Sequence, residues 1–321
     1  MSSKYPEIDP SRLRTMSIED RKSKVGVSQF AKSYVPGSSV ARFLDSLPDI
    51  LAGRSVRTVI ERIVAARKRG RAVVFAMGAH VIKCGLSPIV VDLIRRGAIT
   101  AVAMNGAGAI HDFELAGFGE TSEDVVEGLR TGTFGTARET AEFLNEGASR
   151  AQREQLGFGE ALGRALVESK SPRVDMSILA AAYESSVPVT VHVSIGSDIV
   201  HMHPSADGSA IGESSMRDFR ILTQAMSGLG DGGVLMNVGS AVVLPEVILK
   251  ALTVLINLGH GLTGLTGVNL DFVQHYRSNT QVVDRVRSIG GEGFALTGHH
   301  EIMIPLIAAG VIEGMESSST P

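Results

Sequence analysis

The sequence has no tryptophan, a single cysteine and few aromatic residues, 11 Phe and 4 Tyr. Thirty-one Lys and Arg are set against 34 Asp and Glu, a net charge of −3. A chain so balanced exerts no broad attraction on a phosphate polymer, and without aromatic platforms it lacks the usual grip on single-stranded bases, so no nucleic-acid partner is expected. Cys84 cannot close an intrachain disulfide, and the first thirty or so residues alternate charged and polar groups without the apolar centre of a signal peptide. These features predict a cytoplasmic protein. Long hydrophobic runs are also missing: Ile302 to Ile312 is short, and Val242 to Leu258 carries Glu246 and Lys250. Neither provides the roughly 18 uncharged residues of a membrane span, so no membrane partner is expected.

Glycine is what the chain has in excess, 36 among 321 residues. Residues 1 to about 36 hold Pro6, Pro10 and Pro36 and a mixed charge run without a sustained period, and are predicted to be an N-terminal arm. From 37 to 314 the pattern predicts a single α/β domain, followed by a flexible tail over 315–321. Apolar runs at Ala72–Met77, Ile99–Met104, Val187–Ser194, Gly233–Val238, Leu262–Leu270 and Phe294–Leu296 predict strands. Helical periods fall between them at Val56–Lys68, Pro88–Arg96, Ser214–Met226, Pro245–Leu258 and Glu301–Ile312, with a helical insertion over about 113–186. This rhythm predicts a doubly wound parallel sheet, whose ligands bind where the carboxyl ends of the strands open.

Chemistry is therefore sought just beyond each strand. Asn105-Gly106-Ala107-Gly108-Ala109-Ile110-His111-Asp112 is a glycine turn opening a helix, able to offer backbone N–H groups to a phosphate. His111 stands where the dinucleotide fingerprint has its third glycine, and a helix start that simply needs small residues explains the turn equally well. Val238-Gly239-Ser240-Ala241 repeats the arrangement after the fourth strand. Gly196-Ser197-Asp198 follows the third strand, where Asp198 could orient a nearby histidine. Seven of the nine histidines, His80, His111, His192, His201, His203, His299 and His300, fall near strand ends. Each alone suits an ordinary hydrogen-bonded side chain, whereas several at one sheet edge suggest acid–base work or metal binding. His201 and His203, in an extended segment, would present both rings on one face. Lys83 beside Cys84, and Arg277 with Asn279, offer groups for an anionic substrate, although surface roles serve as well. Burial is the expected state of Cys84.

The order of these pieces resembles deoxyhypusine synthase and its relatives. The resemblance runs from about Ala72 to Ile312 and is carried by Met77-Gly78-Ala79-His80, the turn at Asn105–Asp112, Ser194-Ile195-Gly196-Ser197, Val238-Gly239-Ser240-Ala241-Val242-Val243 and Pro305-Leu306-Ile307-Ala308. It implies an NAD-binding Rossmann fold and a homo-oligomer, a tetramer or dimer. The family's imine-forming lysine is matched here by Leu244, which cannot form that bond, and its paired acids by His111 and Asp112. The acid of its third-strand turn is matched by Ile195.

A divergent enzyme is therefore expected, transferase- or oxidoreductase-like, acting on a small polar metabolite, amine-bearing compounds being among the candidates. Gly106, Ala107, Gly108, Gly196, Ser197, Gly239 and Ser240 would line NAD. His111 with Asp112 would do acid–base work, helped by His80 or His299, and Lys83, Arg277 and Asn279 would hold substrate. Two other expectations stand beside it. One is a hydrolase or lyase using zinc or a similar divalent metal on His201, His203 and His299 or His300; the other is a non-catalytic nucleotide sensor.

Overall fold

The structure, a computed structural model, describes residues 3–316. Six strands form one all-parallel sheet: β1 (Val73–Met77), β2 (Ala101–Asn105), β3 (Val189–His192), β4 (Val234–Val238), β5 (Thr266–Asp271) and β6 (Glu292–Thr297). Their order across the sheet is β3-β2-β1-β4-β5-β6. Strand order reverses between β1 and β4, the switch point at which such sheets open a crevice.

The helices, in chain order, are α1 (Val40–Ser46), α2 (Leu51–Lys68), α3 (His80–Lys83), α4 (Ser87–Arg95), α5 (Gly106–Gly117), α6 (Val125–Thr131), α7 (Arg138–Glu154), α8 (Phe158–Ser169), α9 (Ile178–Glu184), α10 (Gly208–Met226), α11 (Val243–Asn257), α12 (Tyr276–Ser278), α13 (Arg285–Ser288) and α14 (His300–Glu316). In β1 the alternation of side chains feeds two cores. Val73, Phe75 and Met77 join one with α2, α4, α5 and α14, while Val74 and Ala76 join the other with α10 and α11. A strand buried on both faces must be apolar throughout, and β1 is. In α2, Val56, Val59, Ile60, Ile63 and Val64 recur at helical spacing and are all buried, which seats that helix on the sheet.

Helices α5 to α9 fill the long connection from β2 to β3, where the helical insertion is predicted. Between β5 and β6 the prediction differs. Arg277-Ser278-Asn279-Thr280 is helical, running from α12 through a π-helical stretch (Asn279–Asp284) into α13. Its β-branched residues are weak helix formers, yet Val282, Val283 and Val286 are buried against β5 and β6. Gly267 and Gly293 allow that close approach, because a side chain at either would collide with the carbonyl of Val282 or Val283. The predicted arm is exposed, with short 3₁₀ turns at Pro10–Arg12 and Val27–Gln29. Since α14 runs to Glu316, the predicted tail is helical at 315 and 316, and 317–321 lie outside the described residues.

Candidate active site

Two groups of polar side chains gather at the carboxyl edge of the sheet, with α3 between them. The first lies at the switch point. His80 opens α3 after β1, Phe272 follows β5, and His299 and His300 lead into α14 after β6. Phe272 stacks on His299 with ring centroids 6.3 Å apart, and its edge meets His300 at 6.2 Å. His80 and His300 are 5.8 Å apart. His80 thus meets the adjacent pair His299-His300 on one rim, whereas His111, which His80 or His299 was expected to help, lies in the second group. Cys84 joins the first group one helical turn after His80, and ligand atoms of His80, Cys84 and His300 lie within 4.8 Å of one another. Cys84 is half-buried, less enclosed than expected. Burial pushes its thiol pKa up, the nearby Glu301 carboxylate adds to that, and Lys83 opposes it.

The second group lines a cavity of about 240 Å³ beyond β1, β2 and β3. Lys83, Ala107, His111, Glu114, Glu123 and Asp198 are in its wall. His111 Nδ1 lies 2.5 Å from Thr121 Oγ1, and the Thr121 hydroxyl donates to Glu114. With that hydroxyl proton committed, Nδ1–H is the donor to Thr121, and Nε2 is the ring nitrogen that can accept a proton. Thr140 donates to the other Glu114 oxygen at 3.0 Å. Burial alone would raise the Glu114 pKa, but hydrogen bonds from His111, Thr121 and Thr140 outweigh it and hold the carboxylate below its usual range. Glu114, three residues after His111 on the same helical face, is the partner the sequence reading missed; the i, i+3 spacing was the available signal.

Asp112 does not pair with His111. It is 1% exposed and accepts from the Ser177 hydroxyl and from the backbone N–H groups of Ile178 and Leu179. It therefore caps the start of α9, and burial raises its pKa to about 6 against those hydrogen bonds.

The glycine turns are also occupied by protein groups. At the start of α5, Asn105 accepts from Gly108 N and the Asp198 carboxylate accepts from Ala107 N. A side chain at Gly106 would collide with that carboxylate. Asp198 so sits where a phosphate would, and burial raises its pKa against the pull of His201. Gly239 has φ +67°, and a Cβ there would lie 2.9 Å from the His300 ring. Ser240 is buried, its hydroxyl accepting from Leu244 N and its carbonyl from Asn237 and Ser278. Gly196 and Ser197 are exposed in the loop after β3, and Ser197 reaches the cavity wall.

The remaining predicted residues lie apart from both groups. His201 and His203 sit in and just after a 3₁₀ turn (Ile199–Met202), not an extended strand, so the alternation that would align their rings does not hold. His201 Nδ1 accepts from Gly196 N and Asp198 N, while His203 Nδ1 is engaged by Ser205. Neither joins His300, so the predicted His201–His203–His300 metal set does not form; His80, Cys84 and His300 are the one such group found among the described residues. Arg277 pairs with Glu246 at 2.8 Å, and Asn279 lies in the π-helical stretch with its buried Oδ1 unpartnered.

No family profile and no curated protein matches the chain. Solved structures do. A "conserved putative LOR/SDH protein" from Methanococcus maripaludis S2 superposes with a TM-score of 0.50 at 15% identity, covering 87% of this chain and 73% of its own. AgrE, in a ternary complex with ornithine and NAD+, gives 0.53 at 16% identity over 85% of this chain and 34% of its own. A "putative deoxyhypusine synthase" from Entamoeba histolytica gives 0.50 at 12% identity, covering 88% and 96%. The chain thus spans about a third of AgrE. At these identities the likeness is one of fold: a Rossmann-like α/β sheet with deoxyhypusine synthase-like neighbours. No helix among the described residues is long and apolar enough to cross a membrane.

Proposed function

We propose that the protein is an enzyme acting on a small polar, amine-bearing metabolite in the cavity between α3, α5 and the loop after β3, with His111 as its acid–base group. The observation that carries this reading is the His111–Thr121–Glu114 chain in the cavity wall. A carboxylate holding Nδ1–H through a hydroxyl fixes the tautomer and leaves Nε2 as the nitrogen that exchanges a proton with substrate. Glu123 and Asp198 supply negative charge for an ammonium group, and Lys83 supplies a cation for an anionic one. Leu244, fully buried in the second core, offers no amine, so the imine route of deoxyhypusine synthesis is unavailable there.

The test is a screen of amine-bearing metabolites by thermal shift and turnover, followed by His111→Gln and Glu114→Gln. Both variants are expected to keep binding, and His111→Gln to lose about 100-fold or more in turnover. Unchanged turnover in His111→Gln would overturn the assignment.

A second reading, NAD as cofactor, is favoured by the strand order, which is that of dinucleotide-binding sheets, and by the AgrE complex. The start of α5 does not fit a diphosphate while Asp198 and Asn105 hold its N–H groups, so no step is derived through the cofactor. Equilibrium dialysis checks this: Asp198→Ala is expected to bind NAD more tightly than the wild type. If neither binds, this reading fails while the acid–base proposal stands.

A further inference from the structure

The geometry points to a transition-metal site formed by His80, Cys84 and His300, distinct from the acid–base cavity and independent of its proposed function. His80 and Cys84 face the same way because they are four residues apart across a helical turn, closed by the hydrogen bond from Cys84 N to His80 O at 2.9 Å. The first residue of α14 provides the third ligand. Their ligand atoms already lie within 4.8 Å of one another. Tetrahedral zinc, with Zn–N of about 2.0 Å and Zn–S of about 2.3 Å, asks this set to close by roughly 1 Å. The exposed His80 side chain is free to make that movement.

His300 supplies an observation that packing alone does not explain. It is 1% exposed, and its Nε2 lies 3.4 Å from the Leu270 carbonyl and 3.8 Å from Asp271 Oδ1. Both neighbours are acceptors, so Nε2 carries the hydrogen. Nδ1 then presents a lone pair, and that buried atom has no hydrogen-bond partner. A metal-bound imidazole is held in just this way, one nitrogen donating to a carbonyl or carboxylate and the other left to the ion. Charge agrees as well. A Cys84 thiolate, formed as its proton leaves on metal binding, balances a divalent cation together with the nearby Glu301 carboxylate, the imidazoles being neutral. Two imidazoles and a thiolate select borderline ions such as zinc or cobalt over magnesium or calcium.

The experiment uses the full-length, metal-stripped chain without nucleotide or metabolite. It is titrated with cobalt(II), and with zinc(II) in competition with a chromophoric chelator. One equivalent per chain and a thiolate-to-cobalt charge-transfer band are expected. Cys84→Ser should abolish the band, and His300→Gln should weaken zinc binding by about 100-fold or more. His80→Ala should do the same, and because His80 is exposed it keeps the test open if His300→Gln fails to fold. His203→Ala should match the wild type. Absence of stoichiometric binding, a band that survives Cys84→Ser, or undiminished affinity in His80→Ala would overturn the site.

Discussion

Gly239 answers to two constraints, a left-handed backbone at φ +67° and the His300 ring 2.9 Å from where a Cβ would stand. Gly85, at φ +75° with nothing within 4 Å, has only the first. Gly85→Ala is expected to cost about 1 kcal/mol and Gly239→Ala about 2–3 kcal/mol in urea unfolding, the difference being the displacement of a buried ring. Equal costs would mean that His300 yields freely. His192 gives a pH prediction. Burial lowers its pKa from 6.5 to about 4, so the neutral ring is the folded form. The unfolded chain takes up the proton first as pH falls, and stability from this residue, complete above pH 6.5, is lost on the way to pH 4. The loss is about 3 kcal/mol at about 1.4 kcal/mol per pKa unit. Burial raises Asp112 to about 6 and Asp218 to about 8, and these groups have the opposite sign, costing stability as pH rises. The measurement is therefore the stability difference between wild type and His192→Gln, expected to shrink between pH 7 and pH 4.5. A constant difference would contradict it.

Among the elements, Asp112 ties α5 to α9 by accepting from two backbone N–H groups and the Ser177 hydroxyl. Asp112→Ala strands those donors in the core and is expected to cost roughly 2–4 kcal/mol, with Asp112→Asn costing less. Denaturant midpoints decide, and a neutral Asp112→Ala would show that α9 starts without its cap. The same residue shows where sequence reading reached and where it stopped. All six strands were legible because a doubly covered sheet writes itself as short apolar runs. Of the seven strand-end histidines expected on one edge, His80, His299 and His300 do meet, while His111, His192, His201 and His203 are held by other partners. The roles of His111's neighbours did not follow from strand ends, because Asp112 and Glu114 differ by two positions on one helix and only its rotation decides which faces the cavity. Nor did the filling of the α5 turn, since Asp198 lies some ninety residues away and reaches Ala107 only through the pairing of β2 with β3. The helix over 276–288 was hidden by residues whose local preference is outweighed by burial.

For the molecule as a whole, the arm is the least covered part. Ile8, Leu13, Ile18, Val27 and Tyr34 are all exposed. A homo-oligomer, dimer or tetramer, is the proposal that would cover them. Sedimentation of the full chain is expected to give that assembly, and removal of residues 1–36 a smaller species with unchanged thermal unfolding of the α/β domain. Full-length chain sedimenting as a monomer would refute it. At the opposite end of the sheet's importance lies α3, a single turn carrying His80 toward the switch point and Lys83 into the cavity wall. A ligand held by Lys83 and an ion held by His80 would therefore both act on the same helical turn. Whatever factor one occupant imposes on the other's affinity across that turn, thermodynamics returns the same factor in the opposite direction.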